Sequence, residues 1–175
     1  MKPTVPEAAR QLEERGLLTR TRADQSAGII DHVREALGND LPEDLEAFYR
    51  ERISRVGDFN AILPTGNDRV GWRSGAVRMD SLLPASAVPL FSDGCGSLFG
   101  LDLSAAGAAP AVYFFDHEDG FKTPRWAVGS SLGSFLLVLA DSDRAQSENW
   151  PLQWELKLDP DLDKCARAPA IWNTG

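Results

Sequence analysis

The segment Val88–Leu139, VPLFSDGCGSLFGLDLSAAGAAPAVYFFDHEDGFKTPRWAVGSSLGSFLLVL, decides the fold. Short apolar runs alternate with glycine- and aspartate-rich turns, and an apolar stripe at helical spacing follows. SLFGLDLS reads as one strand and AVYFFDHE as a second. Ala127-Val128 is a short third strand. Ser130 or Ser131 then caps a helix whose core face is Leu132, Phe135, Leu136 and Leu139. Ser92-Asp93-Gly94-Cys95-Gly96 is a tight turn, with glycines free to take positive φ. The polar residues gather at strand ends. This is the pattern of a sheet that presents loops, and it points to binding more than to catalysis.

Working outward, three helices are expected before this block. Pro6 to Arg15 carries a narrow apolar face of Ala8, Ala9 and Leu12 and stops at Gly16, which places it at the edge of the fold. A loop through Thr19–Arg22 follows. The second helix runs from Asp24 to Gly38, with Ile29, Ile30, Val33 and Leu37 as its stripe and His32 at the rim. The third, LPEDLEAFYRERI, has Pro42, Glu43 and Asp44 in its first turn and Leu41, Leu45, Phe48, Tyr49 and Ile53 on its apolar side. Glu46 and Arg50 form an i,i+4 pair on it. Between Phe59 and Leu83, the runs AILP, RVGWR and AVRM are each short enough for strands. Trp72 is read either as core or as an exposed aromatic anchor. Pro84 and Pro89 confine their runs to edge strands or connections. Beyond Asp141, Trp150, Trp154 and Leu158 recur at helical spacing, with Asn149 and Pro151 suited to start a helix. That tail is expected to fold back on the domain or to contact a partner. The division is 1–140 for the domain and 141–175 for the appendage.

Composition bounds the function. With 175 residues the chain fits one domain with a sizeable core. Hydrophobic residues make up 43% and charged residues 25%, ordinary for a globular protein. No apolar run approaches the ~20 residues that cross a bilayer, and MKPTVPEAARQLEERG lacks the apolar core of a secretory signal. The expectation is a cytoplasmic protein with no membrane contact. Cys95 and Cys165 form no CxxC and read as reduced structural thiols. The net charge of −8 and pI near 4.7 argue against direct nucleic-acid binding, which needs a basic surface. They favour solubility and attraction to a basic partner.

Asp116-His117-Glu118-Asp119 is the most site-like motif. On a strand, Asp116 and Glu118 share one face and His117 the other; in a loop all four converge. A metal or acid–base site is conceivable, but the only other histidine is His32. A solvated loop or a partner contact is the plainer reading. Gly94-Cys95-Gly96-Ser97 lacks the GxSxG pattern of a nucleophile turn. GSSLGS lacks the lysine of a phosphate loop. No spacing here calls for catalysis, a cofactor or a metal.

Several segments, taken in order, resemble the SUKH superfamily, which groups fungal cell-wall-synthesis regulators with bacterial toxin-immunity proteins. Leu41-Pro42-Glu43-Asp44-Leu45-Glu46-Ala47-Phe48 is similar to its early LPxDhxxF-type helix. Gly94–Leu103 resembles its glycine turn and following strand with a terminal aspartate. Pro110–Glu118 resembles its PVYxxDHE-type strand. Ala127-Val128 with Ser134-Phe135-Leu136 resembles its closing helix. The likeness covers roughly Asp40 to Ala140. It departs at Ser54-Arg55-Val56-Gly57, where the family often has Asn-Gly-Gly, and at Leu137, where a second phenylalanine is common. The resemblance implies a single α+β domain, a mostly antiparallel sheet flanked by helices, with no catalysis and no cofactor. It implies a protein partner, a toxin domain (often a nuclease) with a basic surface. On that reading the candidate partner-binding residues are Asp93, Asp102, Asp116, Glu118, Asp119 and Trp72. A regulatory or scaffold module of the same fold and a metal-dependent enzyme built on Asp116–Asp119 are the alternatives.

Overall fold

The computed structural model describes residues 2–23, 28–37, 41–64, 87–103, 110–121, 123–141 and 153–165. Five α-helices and seven strands are seen there: α1 Val5–Glu14, β1 Leu18–Arg20, α2 Ile29–Leu37, α3 Glu43–Arg50, β2 Ile53–Val56, β3 Phe59–Ala61, β4 Ala87–Ser92, β5 Leu98–Asp102, β6 Val112–Phe115, β7 Trp126–Gly129, α4 Leu132–Ala140 and α5 Gln153–Leu158. A 3₁₀ turn, Leu162–Lys164, follows α5. The strands form one antiparallel sheet whose spatial order, β1 to β7, repeats the chain order. This is the expected α+β domain. No helix among the described residues is long and apolar enough to cross a membrane.

The strands read from Val88–Leu139 stand where expected, and Ser131 is the helix cap, its Oγ accepting from Ser134 N at 3.2 Å. Every residue from Leu132 to Leu139 is buried, not one face only. A helix apolar all round must be covered all round. The sheet lies on one side of α4, α1 on another, and α5 on a third.

α1 is not at the edge of the fold. Val5, Ala8, Ala9 and Leu12 are all fully buried. Two alanines make a small face, and a small face allows a close approach. The backbone of Pro3 and Thr4 runs so near α4 that a Cβ on Gly133 would collide with the Pro3 carbonyl oxygen and lie 2.9 Å from the Thr4 carbonyl carbon. A capping box starts the helix here: Thr4 Oγ1 accepts from Glu7 N, and the Glu7 carboxylate accepts from Thr4 N at 2.9 Å. The bond from Thr4 N, and after it one from Thr4 Oγ1 to the same carboxylate at 3.0 Å, hold the Glu7 carboxyl below its usual range.

Three further expectations are corrected. Thr19–Arg22 is not all loop, because Leu18–Arg20 pairs with β2. The third helix ends at Arg50, and Ile53 begins β2, buried but in a strand. The reversal is made by Arg52 at φ 56°, a left-handed position usually given to glycine. Pro89 sits in β4, the fourth of seven strands. It is tolerated because the β4–β5 register shifts between Pro89 and Phe91, and β3 hydrogen-bonds β4 only from Leu90 onward, with Ile62 N donating to Leu90 O at 2.8 Å.

β4 to β7 are buried on both faces. On the helix side Val88, Leu90, Phe91, Leu101 and Val112 join Phe48, Ile53, Phe135 and Leu136. On the other side Ala87, Leu98, Tyr113, Phe115, Phe121 and Ala127 pack with Leu162 and Cys165 of the C-terminal segment. Asp159, fully buried, ties that segment down; its carboxylate accepts from Ser130 N and Ser130 Oγ. Lys2 Nζ donates to Ser130 O at 3.1 Å and lies 3.7 Å from the Asp161 carboxylate. RVGWR, AVRM, Trp72, Asn149, Trp150 and Pro151 lie outside the described residues.

Gly133→Ala tests the close approach. Helix propensity alone would stabilise the variant by about 1 kcal/mol. The new methyl meets backbone, which cannot rotate away, so the expected net result is a loss of about 1–3 kcal/mol in urea unfolding. Exposed Glu35→Ala should stay within ~0.5 kcal/mol of the parent. An unchanged or raised midpoint for Gly133→Ala would contradict this packing.

Candidate functional site

Three turns share one end of the sheet: Gly57-Asp58 between β2 and β3, Asp93–Ser97 between β4 and β5, and Asp116–Arg125 between β6 and β7. The β4–β5 turn is organised by Asp93. Its Oδ1 accepts from Cys95 N at 2.8 Å and from Ser97 N at 3.0 Å, and its own N–H donates to Ser97 O at 3.1 Å. Gly94 and Gly96 take φ 78° and 111°, which is what their positions require. Asp93 therefore serves its own loop before anything else.

The β6–β7 turn leaves the strand at Asp116. Its Oδ1 accepts from Glu118 N at 2.9 Å, an Asx turn, and its carbonyl accepts from Phe121 N at 3.2 Å. Phe121 takes φ 58° and drives its ring into the core. The motif thus bends, and Asp116 lies near two of its neighbours: its Oδ1 is 3.6 Å from His117 Nδ1, and it shares Arg125 with Asp119. His117 turns back to the neighbouring loop, where its Nδ1 hydrogen-bonds Ser97 Oγ at 2.8 Å. The same hydroxyl accepts from His117 N at 3.2 Å. Ser97 is buried, and its hydroxyl staples the two turns.

Arg125 closes the other side. Its guanidinium lies 3.0 Å from Asp116 Oδ2 and donates from Nε to Asp119 Oδ2 at 2.6 Å. The Arg125 hydrogen bond holds the Asp119 carboxyl below the usual aspartate range. The Arg125 guanidinium is pushed up in return, first by that bond.

The six expected partner-binding residues thus fall into different situations. Asp93, Asp116, Glu118 and Asp119 are at the same sheet end. Glu118 is exposed; Asp93, Asp116 and Asp119 already have partners in the fold. Asp102 lies at the far end of β5, paired with Ala87 and 8% exposed. Trp72 is outside the described residues. Ser97 and Arg125 complete the site and were not expected in it. Arg125 is six residues from Asp119, a separation that a single turn closes but that no periodicity marks. Among the described residues no three His, Cys, Asp or Glu side chains are grouped as a metal ion would need.

Against known proteins, the family model described as SMI1 / KNR4 family (SUKH-1) matches residues 26–137, from before α2 into α4. No curated protein matches the chain.

The Asp119–Arg125 pair gives a titration test. A depressed folded pKa adds stability above the unfolded aspartate value near 3.9 and loses it as pH falls through the folded value. In carboxyl-carbon NMR, Asp119 should titrate below ~3.9, and Arg125→Ala should return it toward that value. Equal midpoints in parent and variant would refute the pairing.

Proposed function

This chain belongs to the SMI1 / KNR4 family (SUKH-1), and from that premise we propose that it is a non-enzymatic protein-binding domain. Its proposed role is that of an immunity protein that neutralises a cognate bacterial toxin by direct binding. The family match, from α2 through β2–β7 into α4, carries the reading. Two features support it. The polar groups that resemble a catalytic set are committed to one another: Ser97 to His117, Asp116 and Asp119 to Arg125. These bonds tie neighbouring turns together, which suits a surface held ready for recognition. The net charge of −8 suits a partner with a basic surface, such as a nuclease, because opposite fields speed encounter. A cytoplasmic site of action belongs to the same proposal.

The test is co-expression with the toxin domain encoded beside this gene. Growth should be rescued and a complex should co-purify, with an association rate that falls as salt rises. Survival unchanged by deletion of this chain would sink the immunity role. A stable complex with a protein that is not a toxin would instead support a regulatory or scaffold module of the same fold.

A further inference from the structure

The sheet end that carries the three turns also carries a row of aromatic rings on its helix-facing side. Phe99 on β5 stands opposite Phe114 on β6, and Phe114 opposite Trp126 on β7. Phe59 opens β3 directly after the Gly57-Asp58 turn. Ring centroids are 5.7 Å apart for Phe59–Phe99, 5.4 Å for Phe99–Phe114 and 4.7 Å for Phe114–Trp126, the last pair stacked at 18°. All four are only partly buried. Phe91, directly opposite Phe99 on β4, and Phe135 of α4 are closed off, and α4 meets the row through Phe135 at 5.5 Å from Phe99. The row is thus the outer margin of the core.

Its surroundings are acidic. Asp58, Asp93, Asp116, Glu118 and Asp119 stand on the three turns beside it; among the described residues the cations there are Arg55 and Arg125, and Lys122 of the third turn lies outside them. Arg125, the residue next to Trp126, is committed to Asp116 and Asp119. Its charge therefore cancels neighbours on its own turn. Exposed Glu118 and Asp58 are left as the rim of an aromatic floor.

We infer that this aromatic row, with its carboxylate rim, is the surface on which a partner protein seats a basic segment. The inference rests on the protein-binding reading above and names the surface and the chemistry of what docks there. A guanidinium or ammonium group is attracted to the face of Trp126 or Phe114. Its methylene stem covers the adjoining rings, while Glu118 and Asp58 take the charge. Partly buried aromatics inside a charged rim are also where binding energy concentrates in protein interfaces.

The probe is an acetylated, amidated Gly-Arg-Gly-Arg-Gly peptide, followed in the NMR spectrum of the intact chain. It should move the Trp126 indole signal and the amides of the three turns, and the glutamate counterpart should not. Glu118→Lys with Asp58→Lys should weaken the response at least severalfold, and Glu35→Lys on α2 should leave it unchanged. Trp126→Leu, checked for an unchanged fold by circular dichroism, should remove it. No arginine-dependent shift, or shifts elsewhere on the surface, would overturn the inference. The peptide needs no cognate toxin, so the two readings fail separately. A toxin that binds the parent and the Trp126→Leu and Glu118→Lys chains equally would overturn this surface and leave the immunity role standing. A peptide response without any toxin partner would do the reverse.

Discussion

A helix with no polar face governs this fold. From Leu132 to Leu139 every residue of α4 is buried, so each side of it demands a cover. The sheet supplies one, and there Gly129 lets the strand-to-helix turn close; a Cβ at that position would lie 2.9 Å from Phe135 Cα. α1 supplies another, its small face allowing Pro3 and Thr4 to run against Gly133. The C-terminal segment supplies a third, held by the Asp159 carboxylate on Ser130. Both distal pieces of the chain are thus drawn to one elbow, the turn between β7 and α4. Burial of a charge such as Asp159 is costly unless hydrogen bonds meet it, and the two from Ser130 do so.

The opposite end of the sheet is built on the reverse logic. There the polar groups do not cover an apolar helix; they discipline turns. Asp93 gathers two amides, Asp116 one, Ser97 bridges to His117, and Arg125 gathers two carboxylates. Each is a local arrangement, and together they fix where the loops stand. A rigid end of this kind is prepared for recognition without rearrangement, which lowers the entropic cost of association.

β5 to β7 and the closing helix were legible because their signals are local. Strand runs bounded by Asp-Gly turns and a serine cap before an apolar stripe belong to single segments. The losses follow from what a segment does not contain. Arg52 takes a glycine's backbone conformation, so the end of α3 carried no glycine to mark it, and Ile53 was read into the helix. Pro89 argued for an edge strand until the neighbouring register showed a bulge beside it. The face of α1 looked weak because alanines score low in hydropathy, although small size is what lets it approach α4. The capping box at Thr4-Val5-Pro6-Glu7 was not read from the sequence. The candidate site was legible as a motif but not as a geometry. Asp116 to Asp119 drew attention, yet the roles of Ser97 and Arg125 depend on strand register, as does the juxtaposition of Phe59, Phe99, Phe114 and Trp126. Asp102 looked equivalent to the other carboxylates because a sequence does not say at which end of a strand the site will lie.

The strict agreement between strand order and chain order bears on how the molecule comes together. Each strand finds its partner in the next one along, so the sheet can assemble hairpin by hairpin with short closures wherever its connections are short. α1 against α4 is the opposite case, an encounter between the first helix and one beginning at Leu132. Contacts of such separation are entropically late. The elbow at Ser130 and Gly133 is therefore a lock set after the sheet, and an apolar helix is the surface left bare until it is set.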